Sequence, residues 1–303
     1  VVKAIEERFN IDLKAWYVDS NKFWENLNVR FAGGEMPDVL VIDNLSQLPA
    51  FVDGGIIGEI PIEEIREKAP NYTKTADAND DGSLWSTMIY NGKNYGIVNP
   101  MDAVPMAMFW RKDWLDKLGL KAPATMDEFE EVIRAFTEQD PDGNGKKDTY
   151  GFTYAGDSIY NTGWVADPVI LFSANAGKHF PGSWQEDENG QLVYGSIHEG
   201  NKKTLERMAQ WHANGWMFQE AAATGAWDAM MQFTEGKAGI FIGRPWAIGS
   251  VRDVETVCPE AVIKAYPNIL QDNGEPSYQS AQINDGWLMF NKDFNNMEAF
   301  FTY

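Results

Sequence analysis

The sequence predicts an α/β fold, and three observations carry that prediction. Strand-like and helix-like segments alternate along the whole chain. Short apolar runs of the buried-strand kind occur at residues 37–42, followed by Asp43 and Asn44, and at 238–242, with Arg244, Pro245 and Trp246 at the carboxyl end. No flexible linker interrupts the 303 residues. If they make two ordinary domains instead of one large one, strands must cross between them.

The elements follow in order. Val2, Ile5 and Phe9 recur at helical spacing, and residues 11–18 then alternate as a strand, with Ile11, Leu13, Ala15 and Tyr17 on one side. Phe23, Leu27 and Phe31 mark a helix stopped at Gly33-Gly34. Residues 37–42 give the next strand, with Asp43 and Asn44 at its carboxyl end. Strand, helix, strand is the unit of a doubly wound sheet, and ligands bind beyond the carboxyl ends of such strands. Asn91-Gly92 signals a hairpin between residues 85–90 and 93–98. Residues 106–110 read as a strand feeding a helix over 112–118, stopped by Gly119. Thr125 with Glu128 is a capping box that opens a helix reaching Thr137.

A strand over 150–154, an aromatic loop over 157–164 and a helix over 167–176 come next. Glu188-Asn189-Gly190-Gln191 is a turn between short strands. Leu205, Met208, Trp211 and His212 mark a long helix ended by Gly215. Met230, Met231 and Phe233 precede Gly236 and read as core; the strand over 238–242 then ends at Arg244, Pro245 and Trp246. Residues 261–265, 281–283 and 287–290 are extended, and a helix begins at Met297.

Composition narrows the function. Asp and Glu number 45 against 25 Lys and Arg, a net charge of −20, which repels phosphate backbones and argues against nucleic acid. The one cysteine, Cys258, precludes an intrachain disulfide. With Pro259 beside it and no His or second thiol nearby, it reads as a buried, inert thiol. No stretch reaches the 18 or so apolar residues that span a bilayer, and no signal peptide is visible.

Residues 140–148 carry the most specific motif. Asp140, Asp142, Asn144 and Asp148 put oxygens at positions 1, 3, 5 and 9 of a calcium loop. Gly145 takes the turning position, and Lys146 offers its backbone carbonyl. Gly151 stands where the closing Glu of an EF-hand belongs. The loop reads as a structural Ca2+ clip, and the same residues also suit a plain Asp/Asn/Gly turn.

Six segments are informative together: Pro37-Asp-Val-Leu, Asn91-Gly-Lys-Asn-Tyr-Gly-Ile, Trp110-Arg-Lys-Asp-Trp-Leu-Asp-Lys-Leu-Gly-Leu, Pro123-Ala-Thr-Met-Asp-Glu-Phe, the 142–148 loop, and Gly236-Lys-Ala-Gly-Ile-Phe-Ile-Gly-Arg-Pro-Trp. In this order they resemble the extracellular solute-binding proteins of bacterial ABC transporters, the family 1 lipoprotein type with oligosaccharide- and alginate-binding members. The resemblance covers nearly the whole chain. It implies a two-lobed, periplasmic-binding-protein-like (type II) fold, each lobe a doubly wound mixed sheet, with a ligand cleft between the lobes. The first lobe takes residues 1–104 with 275–303, and the second takes 105–274 with the calcium loop. It also implies a lipidated cysteine and a first strand upstream, further helices downstream, permease partners, a monomer, and a place at the cell surface or in the periplasm.

Sugar rings stack their apolar faces on indoles, and their hydroxyls seek carboxylates, amides and guanidinium groups. Twelve tryptophans are available. The ligand-binding candidates near strand ends are Asp43, Asn44, Tyr160, Trp164, Arg244, Trp246, Asp285 and Trp287. Asp43 and Asn44 serve equally as a helix cap. Trp164 and Trp287 serve either cleft or core, and Trp24, Trp114, Trp211 and Trp216 read as packing. Trp246 matches the Gly-Pro-Trp aromatic of maltose-binding relatives, with Arg244 in place of the glycine, and Arg selects charged groups.

Enzyme signatures are missing from the sequence. His179, His198 and His212 lack metal spacing, no nucleophile elbow or phosphate loop occurs, and no carboxylate pair stands out. The expectation is a protein that captures a carbohydrate by hinge closure and passes it to a permease. A peptide or other non-sugar solute, or a glycan-degrading activity, is the alternative.

Overall fold

The computed structural model describes residues 2–18, 22–78, 83–100, 106–157, 165–277 and 284–302. In chain order its strands are β1 (Val39–Ile42), β2 (Ile89–Tyr90), β3 (Lys93–Asn94), β4 (Ile97–Pro100), β5 (Ala107–Arg111), β6 (Tyr150–Phe152), β7 (Trp184–Glu186), β8 (Leu192–Tyr194), β9 (Ala238–Gly243), β10 (Ile263–Tyr266) and β11 (Asn284–Phe290). The chain divides into two compact α/β units, Val1–Ala103 with Gln282–Tyr303, and Val104–Ala281.

The first unit is built on the sheet β1-β11-β4, with β11 antiparallel to both neighbours. β1 and β4 therefore run the same way. Leu40 and Ile42 point into a core with Leu27, Phe51, Ile65 and Met289. Val41 between them is exposed, so β1 alternates instead of being buried on both faces as residues 37–42 suggest. β1 is an edge strand, with β11 as its one partner among the described residues. Asn91 and Gly92 both adopt positive φ, 50° and 78°, and close the β2–β3 hairpin. Its strands are shorter than expected because Trp85 sits in a helical turn, Ser83–Ser86.

The strand expected over 11–18 does not form; residues 11–18 carry no ladder in the structure. Alternation alone is not enough without a partner edge. Trp16 instead lies under the Arg30 guanidinium at 4.4 Å, on the helix Phe23–Ala32, and Tyr17 is exposed.

The second unit has the sheet β10-β5-β9-β6, with β6 parallel to β9 and the other pairs antiparallel. All six β9 residues are buried, as a central strand covered on both faces requires. A Cβ on Gly239 would lie 2.1 Å from the Phe136 ring, so only glycine lets the helix Met126–Glu138 rest on β9. That helix starts where the capping box places it, with Thr125 Oγ1 accepting from Glu128 N–H at 3.2 Å. Its inner face meets Trp110 and Trp211 through Phe129, with ring centroids 6.0 and 5.5 Å apart. Trp211 also donates its indole N–H to Glu130 at 2.8 Å. The helix Val169–Ala176 is buried almost throughout, and the helix Glu199–Asn214 packs along it and stops at Gly215 in the left-handed conformation.

Two outcomes follow. Phe129→Ala is expected to lower the stability of the second unit by about 3–5 kcal/mol in denaturant titration, because it opens a cavity at the centre of the aromatic cluster. Asp77 accepts both Arg66 nitrogens, at 2.6 and 3.0 Å, and the Trp85 indole N–H at 2.7 Å. The bond from Arg66, then that from Trp85, hold its carboxyl below the usual value. A depressed carboxylate stabilises the fold above its unfolded-state pKa and loses that contribution as pH falls through the folded value. The melting-temperature gap between wild type and Asp77→Asn should therefore be widest at neutral pH and close below about pH 4. A gap constant with pH contradicts this.

Candidate functional site

The parallel pairing of β6 with β9 puts their carboxyl ends on one side of the second unit, where an open α/β sheet places its ligands. β9 ends at Gly243. Arg244, next in line, is buried at 4% exposure, and the turn Pro245–Ala247 leaves Trp246 51% exposed. β6 leads toward Asp157, whose N–H donates to the Thr224 carbonyl at 3.4 Å. An Asp157 carboxylate oxygen lies 3.3 Å from the position a Gly225 Cβ would take.

Gly225 opens the helix Ala226–Thr234, which returns through a short turn into β9. Its N-terminus therefore lies at the carboxyl end of β9. Trp227 in its first turn is 54% exposed. Two exposed indoles, a carboxylate and a buried guanidinium are thus gathered at one sheet end. The residues on either side of 158–164 reach the same end. Asp157 precedes that segment, Val165 bridges to Gly243, and Ala166 N–H donates to the Ile242 carbonyl at 2.6 Å. Tyr160 and Trp164 lie outside the described residues.

Trp227 and Asp157 escape a sequence reading. The 226–234 helix shows Met230 and Phe233 on its buried face, and that core signal masks Trp227 and Met231 on the other. Met231, expected in the core, is exposed because it lies one helical turn from Trp227. A tryptophan in the first turn after Thr224-Gly225 was the available signal.

In the first unit, Asp43 and Asn44 follow β1 and are exposed. Asn44 Oδ1 accepts from Ser46 N–H at 2.8 Å and caps the turn Leu45–Gln47. Gly286 takes φ 98°, and a Cβ there would fall 2.5 Å from the Ile42 carbonyl oxygen. The start of β11 thus passes against the end of β1 at a break in register between Asn284 and Trp287. Asp285 lies in β11, and its side chain is outside the described part of the structure. Trp287 is half-buried beside the first-unit core and donates its indole N–H to Thr87 Oγ1 at 3.0 Å. Tyr72 donates to the Val98 carbonyl at 2.5 Å, and burial foremost, then the Asp77 charge, pushes its phenol up to about 12.

The calcium-type loop folds around Asn144. The Asn144 amide nitrogen donates to Asp142 at 2.7 Å and Asp148 at 3.2 Å, and its backbone N–H reaches Asp140 and Asp142 at 3.1 and 3.2 Å. Gly145 N–H donates to Asp140 at 3.1 Å, and Lys146 N–H to Asn144 Oδ1 at 2.7 Å. Desolvation pushes the Asp142 carboxyl up, aided by its acidic neighbours. Desolvation acts on Asp140 in the same sense, but bonds from Asp142 and the N–H groups of Gly145, Asn144 and Gly143 outweigh it and hold Asp140 low. Among the described residues no group of three or more His, Cys, Asp or Glu side chains is arranged to hold a metal ion. Here Asp140, Asp142 and Asp148 accept from N–H groups of the loop itself, those of Asn144 and Gly145. The all-oxygen donor set itself suits a hard cation.

Residues 1–300 match the sequence profile of the bacterial extracellular solute-binding proteins, and the chain belongs to that family. Among similar proteins, the polygalacturonan/rhamnogalacturonan-binding protein YtcQ of Bacillus subtilis is 31% identical over 255 residues, 83% of this chain and 48% of YtcQ. Lipoprotein LipO of the same organism is 35% identical over 153 residues, 50% of this chain and 29% of LipO. In solved structures, the substrate-binding protein FusA of Streptococcus pneumoniae with kestose superimposes with a TM-score of 0.73 at 21% identity. An EF-hand mutant of FusA with fructo-nystose gives 0.72. Both matches cover 99% of this chain and 61% of FusA, which establishes the fold. The chain spans about half the length of YtcQ.

Gly286→Val should destabilise the first unit by about 1–3 kcal/mol, because it combines a positive φ with a clash on β1. Thermal melts compared with wild type check this, and an unchanged melting temperature contradicts the close approach.

Proposed function

We propose that this chain captures a carbohydrate, an oligosaccharide, outside the cell and delivers it to the permease subunits of an ABC importer, making and breaking no bond. The observation that carries the reading is the exposure of Trp227 and Trp246 at one sheet end with Asp157 and Arg244. Indoles offer flat apolar faces to sugar rings, and the charged groups take hydroxyls. Tyr160, Trp164, Asp43, Asn44 and Asp285 supply further contacts, and Trp287 acts through packing. Capture is a hinge closure of two lobes whose free energy comes from contacts made by both. The protein works as a monomer, held at the cell surface by a lipid anchor. Family membership supports the extracellular setting, and the similarity to YtcQ and FusA supports the ligand class.

Calcium stiffens the second unit through Asp140, Asp142, Asn144, Lys146 and Asp148. Binding requires the Asn144 amide to turn its oxygen inward, a rotation that swaps the positions of its oxygen and nitrogen. The FusA structure described as an EF-hand mutant supports such a loop in a relative.

A thermal-shift panel of oligosaccharides, with the sugar recovered and chromatographed, tests the main reading. At least one should raise the melting temperature and return intact; turnover of the sugar contradicts capture, and a shift only with peptides moves the ligand class. Trp227→Ala and Trp246→Ala should each weaken binding of that sugar about tenfold, some 1–1.5 kcal/mol. Addition of Ca2+ to chelator-treated protein should raise the melting temperature, and Asp142→Ala should abolish the effect. An unchanged melt with no metal retained on purification contradicts the clip.

A further inference from the structure

β7 and β8 form a two-stranded ribbon, each paired only with the other among the described strands. Trp184 faces Tyr194 and Glu186 faces Leu192 across it, so these four side chains share one face. That face is turned away from the core. Trp184 is 63% exposed, Leu192 67% and Tyr194 38%. The indole and phenol rings meet with centroids 5.1 Å apart and planes at 35°. Three large apolar side chains left exposed together on one face mark it as a contact surface.

The ribbon borders a cavity of about 610 Å³ lined by Lys178, His179, Glu188, Tyr194 and His198 among others. This volume is in the range of small-ligand sites. Its walls are held in place. The Asp187 carboxylate accepts the N–H groups of Asn189 and Gln191 at 2.8 and 2.9 Å, and Lys178 donates to the Glu186 carbonyl. His179 and His198 stack with centroids 5.1 Å apart. His198 Nδ1 accepts from Gly200 N–H at 3.1 Å, which leaves its Nε2 as a hydrogen-bond donor.

We propose that the β7–β8 ribbon and its cavity form a second glycan-binding site, separate from the strand-end site, for a neutral carbohydrate chain. The aromatic pair stacks on sugar faces, and Glu188, the Tyr194 hydroxyl and His198 Nε2 take the hydroxyls. The acidic surroundings select against anionic occupants. Glu186, Asp187 and Glu188 on a chain of net charge −20 repel nucleic acid and anionic bilayers. The inference rests on the reading that this chain handles carbohydrate.

Affinity electrophoresis in native gels cast with inulin or galactan, with polygalacturonan as the anionic comparison, tests it alongside the oligosaccharide thermal shift. A neutral polymer should retard wild type and Trp246→Ala alike. Trp184→Ala and Tyr194→Ala should cut that retardation about fivefold or more while keeping the oligosaccharide shift and the circular dichroism spectrum. An oligosaccharide shift with no polymer retardation overturns the second site alone, as do ribbon variants that run like wild type. Loss of both responses in wild type overturns the carbohydrate reading as well. A Trp184-dependent dimer in sedimentation velocity also overturns it, because the face then serves self-association.

Discussion

Strand β9 is the constraint on which the second unit depends. It pairs with β5 on one edge and β6 on the other, and each of its residues is buried. Both edges being satisfied, its position is determined by two ladders and two covered faces at once. Phe241 stacks on Phe109 at 6.3 Å and meets Phe233 at 6.0 Å, and Phe136 closes on the strand at Gly239. The residues after Gly243 emerge from this rigid strand. Trp246 follows this strand by three residues, and Trp227 lies on the helix that feeds it. If these side chains bind the proposed sugar, anchoring on such elements pre-organises them, and ligand contacts need not meet the cost of ordering them.

The first unit follows a looser plan. Its sheet of three strands has β1 at an edge, and its polar strand-end residues are partly spent on local structure. Asn44 caps a turn and Trp287 holds Thr87. The second unit carries exposed aromatics at its strand ends, and the first carries short polar groups near a crowded strand crossing at Gly286.

Much of the fold is legible in the sequence where a local rule and burial agree. The capping box at Thr125, the hairpin at Asn91-Gly92 and the run at 238–242 each specify an element by chemistry that no neighbour overrides. Residues 11–18 have the alternation of a strand but no ladder, since pairing depends on an edge that lies elsewhere in the chain. The candidate site is less legible. Arg244 and Trp246 are found from a motif, but Trp227 is hidden on a helix whose other face is core. Trp184 and Tyr194 are invisible as a pair until the ribbon's register sets them opposite each other. The loop at 140–148 has the spacing of a cation site, yet its oxygens turn to backbone N–H groups, because the same Asp and Asn side chains satisfy both patterns.

The central claim is that exposed indoles at the carboxyl end of the second unit's sheet receive a sugar. Acrylamide quenching of tryptophan fluorescence reads those indoles directly. With the stabilising oligosaccharide bound, quenching of the wild type should fall, and the protection should vanish in the Trp227→Phe, Trp246→Phe double variant. Protection that survives intact in the double variant would place the ligand elsewhere and contradict the account.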